Sequence, residues 1–293
     1  MAEKKQLAMV IDLQKCVGCG ACAIACKTEN NTQNRARGQT FNWADFIFKT
    51  EGKFPDVKFA AFPVRCNHCD EPACIQACPE PKAMYKTEEG ITMYNKKYCL
   101  GQTCRKCLTD VKNKCPYSSE NAEKEGAAYS VISWNQIGVK TQEFWMDKTE
   151  MIKGATASPA EVAAKTGTIP AHKHAYKYRD DRPPVNWPKG KKVSGKGEVA
   201  DVRSDDGVDK CHFCIHRIRN NEEPYCVVSC PAKARIVGDK NDPNSEVSKL
   251  IAKYKPMRLK NNKGEFLKDE EIEKSTKPNM YYIRSFKGEA KRA

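Results

Sequence analysis

Cys16-Val17-Gly18-Cys19-Gly20-Ala21-Cys22-Ala23-Ile24-Ala25-Cys26 is the stretch from which the rest of the chain can be read. A Cys-x2-Cys turn points two thiolates into one concavity while the intervening amides face the same way, able to donate hydrogen bonds to sulfur. Gly18 and Gly20 suit such a loop because glycine tolerates the positive φ angles that a tight wrap needs. The i, i+4 spacing of Cys22 and Cys26 predicts a short helix, Ala21 to Lys27, with both sulfurs on one side yet each able to face a different centre. This is the run that wraps a cubane iron–sulfur cluster and sends its last thiolate to a second cluster.

Working outward, the sixteen cysteines fall into four clumps of four. The second reads Cys66-x2-Cys69-x4-Cys74-x3-Cys78, and the fourth Cys211-x2-Cys214-x11-Cys226-x3-Cys230. The third, Cys99-x4-Cys104-x2-Cys107-x7-Cys115, is irregular, with Gln102 where regular spacing would put the second ligand. Proline follows Cys78, Cys115 and Cys230, at Pro79, Pro116 and Pro231. Zinc is the main competing reading, because paired Cys-x2-Cys units also mark ribbons and fingers. Zinc needs only two close pairs, whereas here a third and a fourth cysteine crowd each first pair, which favours iron bound through all sixteen. Disulfide frameworks belong mostly to small secreted domains with little core, unlike this chain of 293 residues.

A formal net charge of +14 and a pI near 9.0 would ordinarily point to nucleic acid or an acidic membrane. That count treats every thiol as neutral. Sixteen thiolates on four cores of about +2 each would remove about eight positive charges, so much of the basic excess offsets cluster charge. Lys15, Arg65, Arg105, Lys106 and Lys210 sit beside ligand cysteines, placed to do so and to raise reduction potentials. A zinc-scaffolded nucleic-acid binder is therefore the distant alternative, and no nucleic-acid partner is expected. The mean hydropathy of −0.72 implies that clusters replace part of the apolar centre, so the apoprotein should fold poorly. No segment approaches the roughly 18 apolar residues of a membrane span. Met1 to Gln6 runs straight into Leu7 to Ile11 without a signal-peptide core or twin arginine. The expectation is a chain with no membrane span and no export signal. It would reach the periplasm, or the outer face of the cytoplasmic membrane, by co-export with a signal-bearing partner; a cytoplasmic location is the alternative.

Leu7 to Leu13 reads as a strand delivering the first ligand loop, and Ile91 to Tyr94 as one preceding Cys99. After two of the Cys-Pro units comes a matching turn and strand, Pro81 to Tyr85 and Pro231 to Val237, the trace of an internal repeat. The predicted fold is α+β, two nested ferredoxin-like units of two 4Fe-4S clusters each. Unit A takes residues 1–61 and 206–238 with clumps one and four; unit B takes 62–135 with clumps two and three. Residues 136–205, a long irregular insertion free of cysteine, read as a partner-contact arm, with Trp134, Trp145, Trp187, Tyr176 and Tyr178 as candidate anchors. Residues 239–293 read as a C-terminal wrapping tail whose strand-like piece is Met280 to Phe286. His68 and His212 lie inside complete Cys-x2-Cys units and are expected to support ligands or sit on the surface; His172 and His174 lack a third ligand nearby. No phosphate loop, dinucleotide fingerprint or nucleophile motif is present in the sequence. Conduction of electrons, without a catalytic site, is what remains.

The four-clump layout resembles the four-cluster ferredoxin subunits that accompany molybdopterin enzymes of the dimethyl sulfoxide reductase family. Residues 9–19, 26–32, 51–58 and 66–69 look most like the iron–sulfur subunit of respiratory arsenate reductases. The resemblance implies shared ligand sets. Cys16, Cys19, Cys22 and Cys230 would hold a first cluster, facing a large molybdopterin catalytic subunit. Cys66, Cys69, Cys74 and Cys115 would hold a second, Cys78, Cys99, Cys104 and Cys107 a third, and Cys26, Cys211, Cys214 and Cys226 a fourth. Some relatives hold a three-iron cluster where a non-cysteine takes the second position of the third clump. Cys104 offers a substitute for Gln102 here, so four 4Fe-4S clusters are expected, with a 3Fe-4S third cluster as the alternative. The resemblance also implies a membrane quinol-oxidising subunit or a cytochrome as electron donor, and arsenate as the partner's substrate, ahead of polysulfide, thiosulfate or tetrathionate.

Overall fold

In a computed structural model of the chain, residues 4–30, 42–95, 98–134, 177–179, 199–201, 207–219 and 221–284 are described. Strand β1 (Leu7–Asp12) is buried along its whole length, as an apolar run on both faces requires. Leu7, Met9 and Ile11 face the main core, while Ala8 and Val10 face a smaller one.

The hairpin β2 (Ala44–Glu51) and β3 (Lys58–Arg65) pairs Ala44 with Arg65 and delivers Cys66. The short pair β4 (Met84–Lys86) and β5 (Thr92–Tyr94) follows the second clump. β6 (Ser133–Trp134) pairs antiparallel with β9 (Val208–Asp209), which joins the two ends of residues 135–207. β7 (Lys177–Arg179) pairs with β8 (Val199–Asp201) between them. β10 (Arg235–Asp239) then flanks β1 antiparallel, Leu7 opposite Asp239 and Ile11 opposite Arg235, and β11 (Met280–Ile283) flanks it parallel, Met9 opposite Met280.

Helices carry the later cysteines of each clump. α1 (Ala21–Asn30) holds Cys22 and Cys26, and α2 (Ala73–Ala77) holds Cys74. α3 (Lys106–Thr109) holds Cys107. After α4 (Ala122–Glu125) and α5 (Ile215–Ile218), α6 (Tyr225–Val228) holds Cys226. α1 packs on α6 and α2 on α3, so helices of clumps one and four meet, as do those of clumps two and three.

The C-terminal region does more than wrap. α7 (Glu246–Lys253), capped by Ser245 accepting from the Ser248 amide at 3.0 Å, covers the smaller core through Val247. Residues 276–279 run beside the second ligand loop, the amides of Asp70 and Glu71 donating to the carbonyls of Lys277 and Thr276. Tyr282 donates its hydroxyl to the Pro63 carbonyl at 2.7 Å. β3 runs through position 61. Trp145, Tyr176, Trp187, His172 and His174 lie outside the described residues, and of Trp134 and Tyr178 only the backbone is described.

Candidate metal centres

All sixteen cysteines are free of disulfides. Their loops repeat one backbone device, since the third residue of each opening four-residue turn is left-handed: Gly18 at φ 68°, His68 at 43°, Gly101 at 68° and Phe213 at 60°. The irregular third clump therefore keeps the same turn from Cys99 through Gly101, and it is the fourth position that carries Gln102. Gln102 accepts from Arg105 at 3.3 Å. Arg105 is itself left-handed, at 44°, which starts a second turn from Cys104 to Cys107. The Gly18 position tolerates nothing larger, because a Cβ there would lie 2.9 Å from that of Ala61.

Sulfurs from distant stretches converge. Cys16, Cys19, Cys22 and Cys230 line one cavity together with Phe46 and Arg235. Cys78, Cys99, Cys104 and Cys107 line another with Leu100. Burial pushes the Cys26 thiol well up, and the sulfurs of Cys211, Cys214 and Cys226 add to that. Cys74 is likewise raised by burial and then by Cys115, Cys66 and Cys69. Burial raises Cys115 to about 11.

Groups also neighbour one another. Cys22 feels Cys226, Cys211 feels Cys66, and Cys107 feels Cys115. The resulting line runs from the group of Cys16, through that of Cys26 and that of Cys66, to that of Cys78. Its middle eight cysteines are buried, whereas Cys19 at one end is exposed, and Cys16, Cys230, Cys78, Cys99 and Cys104 are half-buried.

Among the described residues three buried cations donate to these sulfurs. Arg235 donates to the Cys22 sulfur at 3.0 Å, Arg65 to Cys211 at 3.8 Å and Lys210 to Cys66 at 3.8 Å. Among the described residues none of the three meets a carboxylate within ion-pair distance. A buried cation without an anion is costly, so a net negative group belongs beside each. Thiolate-bound iron–sulfur cores supply that charge, and the donor set fits them. Backbone amides complete the fit, Phe213 donating to Cys211 at 3.4 Å and Ala234 to Cys230 at 3.3 Å. Among the described residues no three of these side chains close around a single ion.

Of the cations that the sequence singles out, Arg65 and Lys210 touch sulfur, whereas Lys15 and Lys106 are exposed and Arg105 pairs with Glu120 at 2.8 Å. Arg235 and Asn30 are further sulfur donors, Asn30 reaching Cys26 at 3.5 Å and Cys214 at 3.8 Å. Arg235 stands five residues past Cys230, and no spacing rule marks it. His68 and His212 are buried, not on the surface. His68 accepts from the Thr92 amide through Nδ1 at 3.1 Å, and burial, with Lys210 and Arg65 nearby, holds it neutral.

The comparisons agree with this chemistry. A 4Fe-4S dicluster domain family matches residues 57–133 and 198–240, and a 4Fe-4S binding domain family matches residues 7–28. The arsenate respiratory reductase iron–sulfur subunit of Shewanella sp. (strain ANA-3) is 39% identical over 281 residues, 96% of this chain and 97% of its own length. A selenate reductase subunit of Mesobacillus selenatarsenatis is 31% identical, covering 95% of this chain and 72% of its own. A tetrathionate reductase subunit of Salmonella typhimurium is 25% identical, covering 96% and 73%. With ferredoxin-type domains in a mixed α/β fold, and with the respiratory arsenate reductase protein among its near relatives, the chain belongs to the iron–sulfur subunits of the dimethyl sulfoxide reductase family of molybdoenzymes.

Proposed function

We propose that the chain relays single electrons between a donor and a large molybdopterin catalytic subunit through four 4Fe-4S clusters, without a catalytic site of its own. When bound, the clusters supply one-electron oxidation and reduction. Cys16, Cys19, Cys22 and Cys230 hold the first, Cys66, Cys69, Cys74 and Cys115 the second, Cys78, Cys99, Cys104 and Cys107 the third, and Cys26, Cys211, Cys214 and Cys226 the fourth. The observation that carries this is the set of buried cations aimed at sulfur, which thiolate-bound iron–sulfur cores would balance. The burial of the middle cysteines keeps water from the inner centres, and the exposed ends give electrons a way in and out. Cys104, starting its own turn after Gln102, supports a four-iron third cluster.

Two ferredoxin-like units, 1–61 with 206–238 nested around 62–135, are the architecture behind this arrangement, and 136–205 is an excursion whose ends β6 and β9 hold together. The catalytic subunit docks at the Cys19 end, where Val17, Ile24 and Val228 are 72%, 67% and 52% exposed. The likeness to the Shewanella protein favours arsenate as that partner's substrate, ahead of tetrathionate, polysulfide and thiosulfate. The donor is a membrane quinol-oxidising subunit or a cytochrome, and the location is the periplasmic side, reached with a signal-bearing partner. The native complex tests this reading. It should contain iron and acid-labile sulfide and oxidise a reduced dye fastest with arsenate among those four acceptors. Zinc without sulfide would overturn the relay, and a better acceptor would overturn the substrate.

A further inference from the structure

Arg65 and Lys210 hold equivalent places, each one residue before the first cysteine of its clump, Cys66 and Cys211. Each reaches past its own neighbour. The Arg65 guanidinium lies 3.8 Å from the Cys211 sulfur and 4.0 Å from the centre of the Phe213 ring, inside the opposite loop. The Lys210 ammonium lies 3.8 Å from the Cys66 sulfur. It is fixed by the carbonyls of Thr92 at 2.5 Å and Cys211 at 3.0 Å. Between them the left-handed residues of the two loops, His68 and Phe213, meet edge to face at 5.1 Å. The two loops thus form a pseudo-symmetric junction with exchanged cations.

Both cations are removed from solvent, Arg65 at 3% exposure and Lys210 at 0%, so neither ion screening nor water weakens their fields. Rotating either side chain back toward its own neighbour would leave the other sulfur without its cation, so the crossing couples the two centres.

We propose that the two inner centres have their reduction potentials set crosswise: Arg65 tunes the centre held by Cys26, Cys211, Cys214 and Cys226, and Lys210 the one held by Cys66, Cys69, Cys74 and Cys115. A buried cation beside a ligand sulfur favours the more negative, reduced state and so raises the potential. The inference rests on the ligand sets proposed above. It adds that the tuned centre is in each case the one farther along the sequence from the cation.

Potentiometric titration of the metal-loaded complex, followed by EPR, tests it, with Cys214→Ser and Cys69→Ser assigning the two signals. Arg65→Gln should lower the midpoint potential of the Cys211 centre more than that of the Cys66 centre, and Lys210→Gln should do the reverse. Equal shifts, no shifts, or a larger shift at the cation's own neighbour would overturn the crossing. Should a neutral variant fail to load metal, Arg65→Lys and Lys210→Arg keep the charge but alter its reach, and the same crossed order is required of them. Wild-type protein without iron–sulfur signals would instead sink the ligand sets themselves, which separates the two failures.

Discussion

At the scale of single residues, Gln102 and Cys104 decide the least regular centre. Gly101 keeps the left-handed turn that elsewhere ends on a cysteine, so the missing thiol at 102 is a substitution in an intact loop. Cys104 lines the same cavity as Cys78, Cys99 and Cys107, two positions late but on the right side. Cys104→Ser should therefore cost this subunit about a quarter of its iron if the cluster is lost, or about one iron if it survives in three-iron form. Unchanged iron and unchanged EPR spectra would refute Cys104 as a ligand. The cysteines were legible from spacing alone because short loops fix where their sulfurs can point. Arg235 was not, since it meets Cys22 only through the β1–β10 pairing across 213 positions. Nor did the sequence tell buried Lys210 from exposed Lys106, each flanking a cysteine, because burial belongs to the neighbours that pack around a side chain.

At the scale of elements, the turn between β4 and β5 is tied to the fourth clump by one buried ion pair. Glu89, 3% exposed, accepts from Arg219 at 2.9 and 3.3 Å, just after α5. Its carbonyl also accepts from the Leu7 amide at 2.8 Å, which anchors the start of β1. Burial pushes the Glu89 carboxyl up, but the hydrogen bonds from Arg219 and Thr87 outweigh it and hold the group below its ordinary value. A depressed carboxylate stabilises the fold above its unfolded pKa and loses that contribution as pH falls through the folded one. Glu89→Gln should thus cost about 1–3 kcal/mol near neutrality, and the gap to wild type should narrow only below about pH 4.3. Urea midpoints followed by circular dichroism check this; no gap at neutral pH, or one that widens in acid, would contradict it. The strand at Leu7 was readable from its apolar run, and β11 from Met280 to Ile283 likewise. Their parallel pairing was not, because it is closed by α7 and by residues 276–279 lying against the second ligand loop, contacts that no local pattern announces.

At the scale of the whole molecule, the described residues form two cores of different kinds. The larger one mixes apolar side chains with Cys22, Cys26, Cys66, Cys69, Cys74, Cys107, Cys115, Cys211 and Cys226. The smaller one, Ala8, Val10, Val247, Tyr281 and Ile283, contains no cysteine. Metal removal leaves the first as free cysteines around hollows, with Arg65, Lys210 and Arg235 buried without the cluster charge beside them, a state that costs several kcal/mol for each uncompensated charge. The second loses nothing directly. Stripping iron with a chelator under oxidation should therefore abolish near-ultraviolet dichroism and expose apolar surface to dye, as binding and folding are coupled. Amide exchange should show the last protection in Leu7–Asp12, Arg235–Asp239 and Met280–Ile283, the strands that share the cysteine-free core. If the apoprotein keeps its near-ultraviolet signal, or protection survives best around Cys66 and Cys211, then metal does not hold the larger core together. The buried cations would in that case be balanced by something other than iron and sulfide.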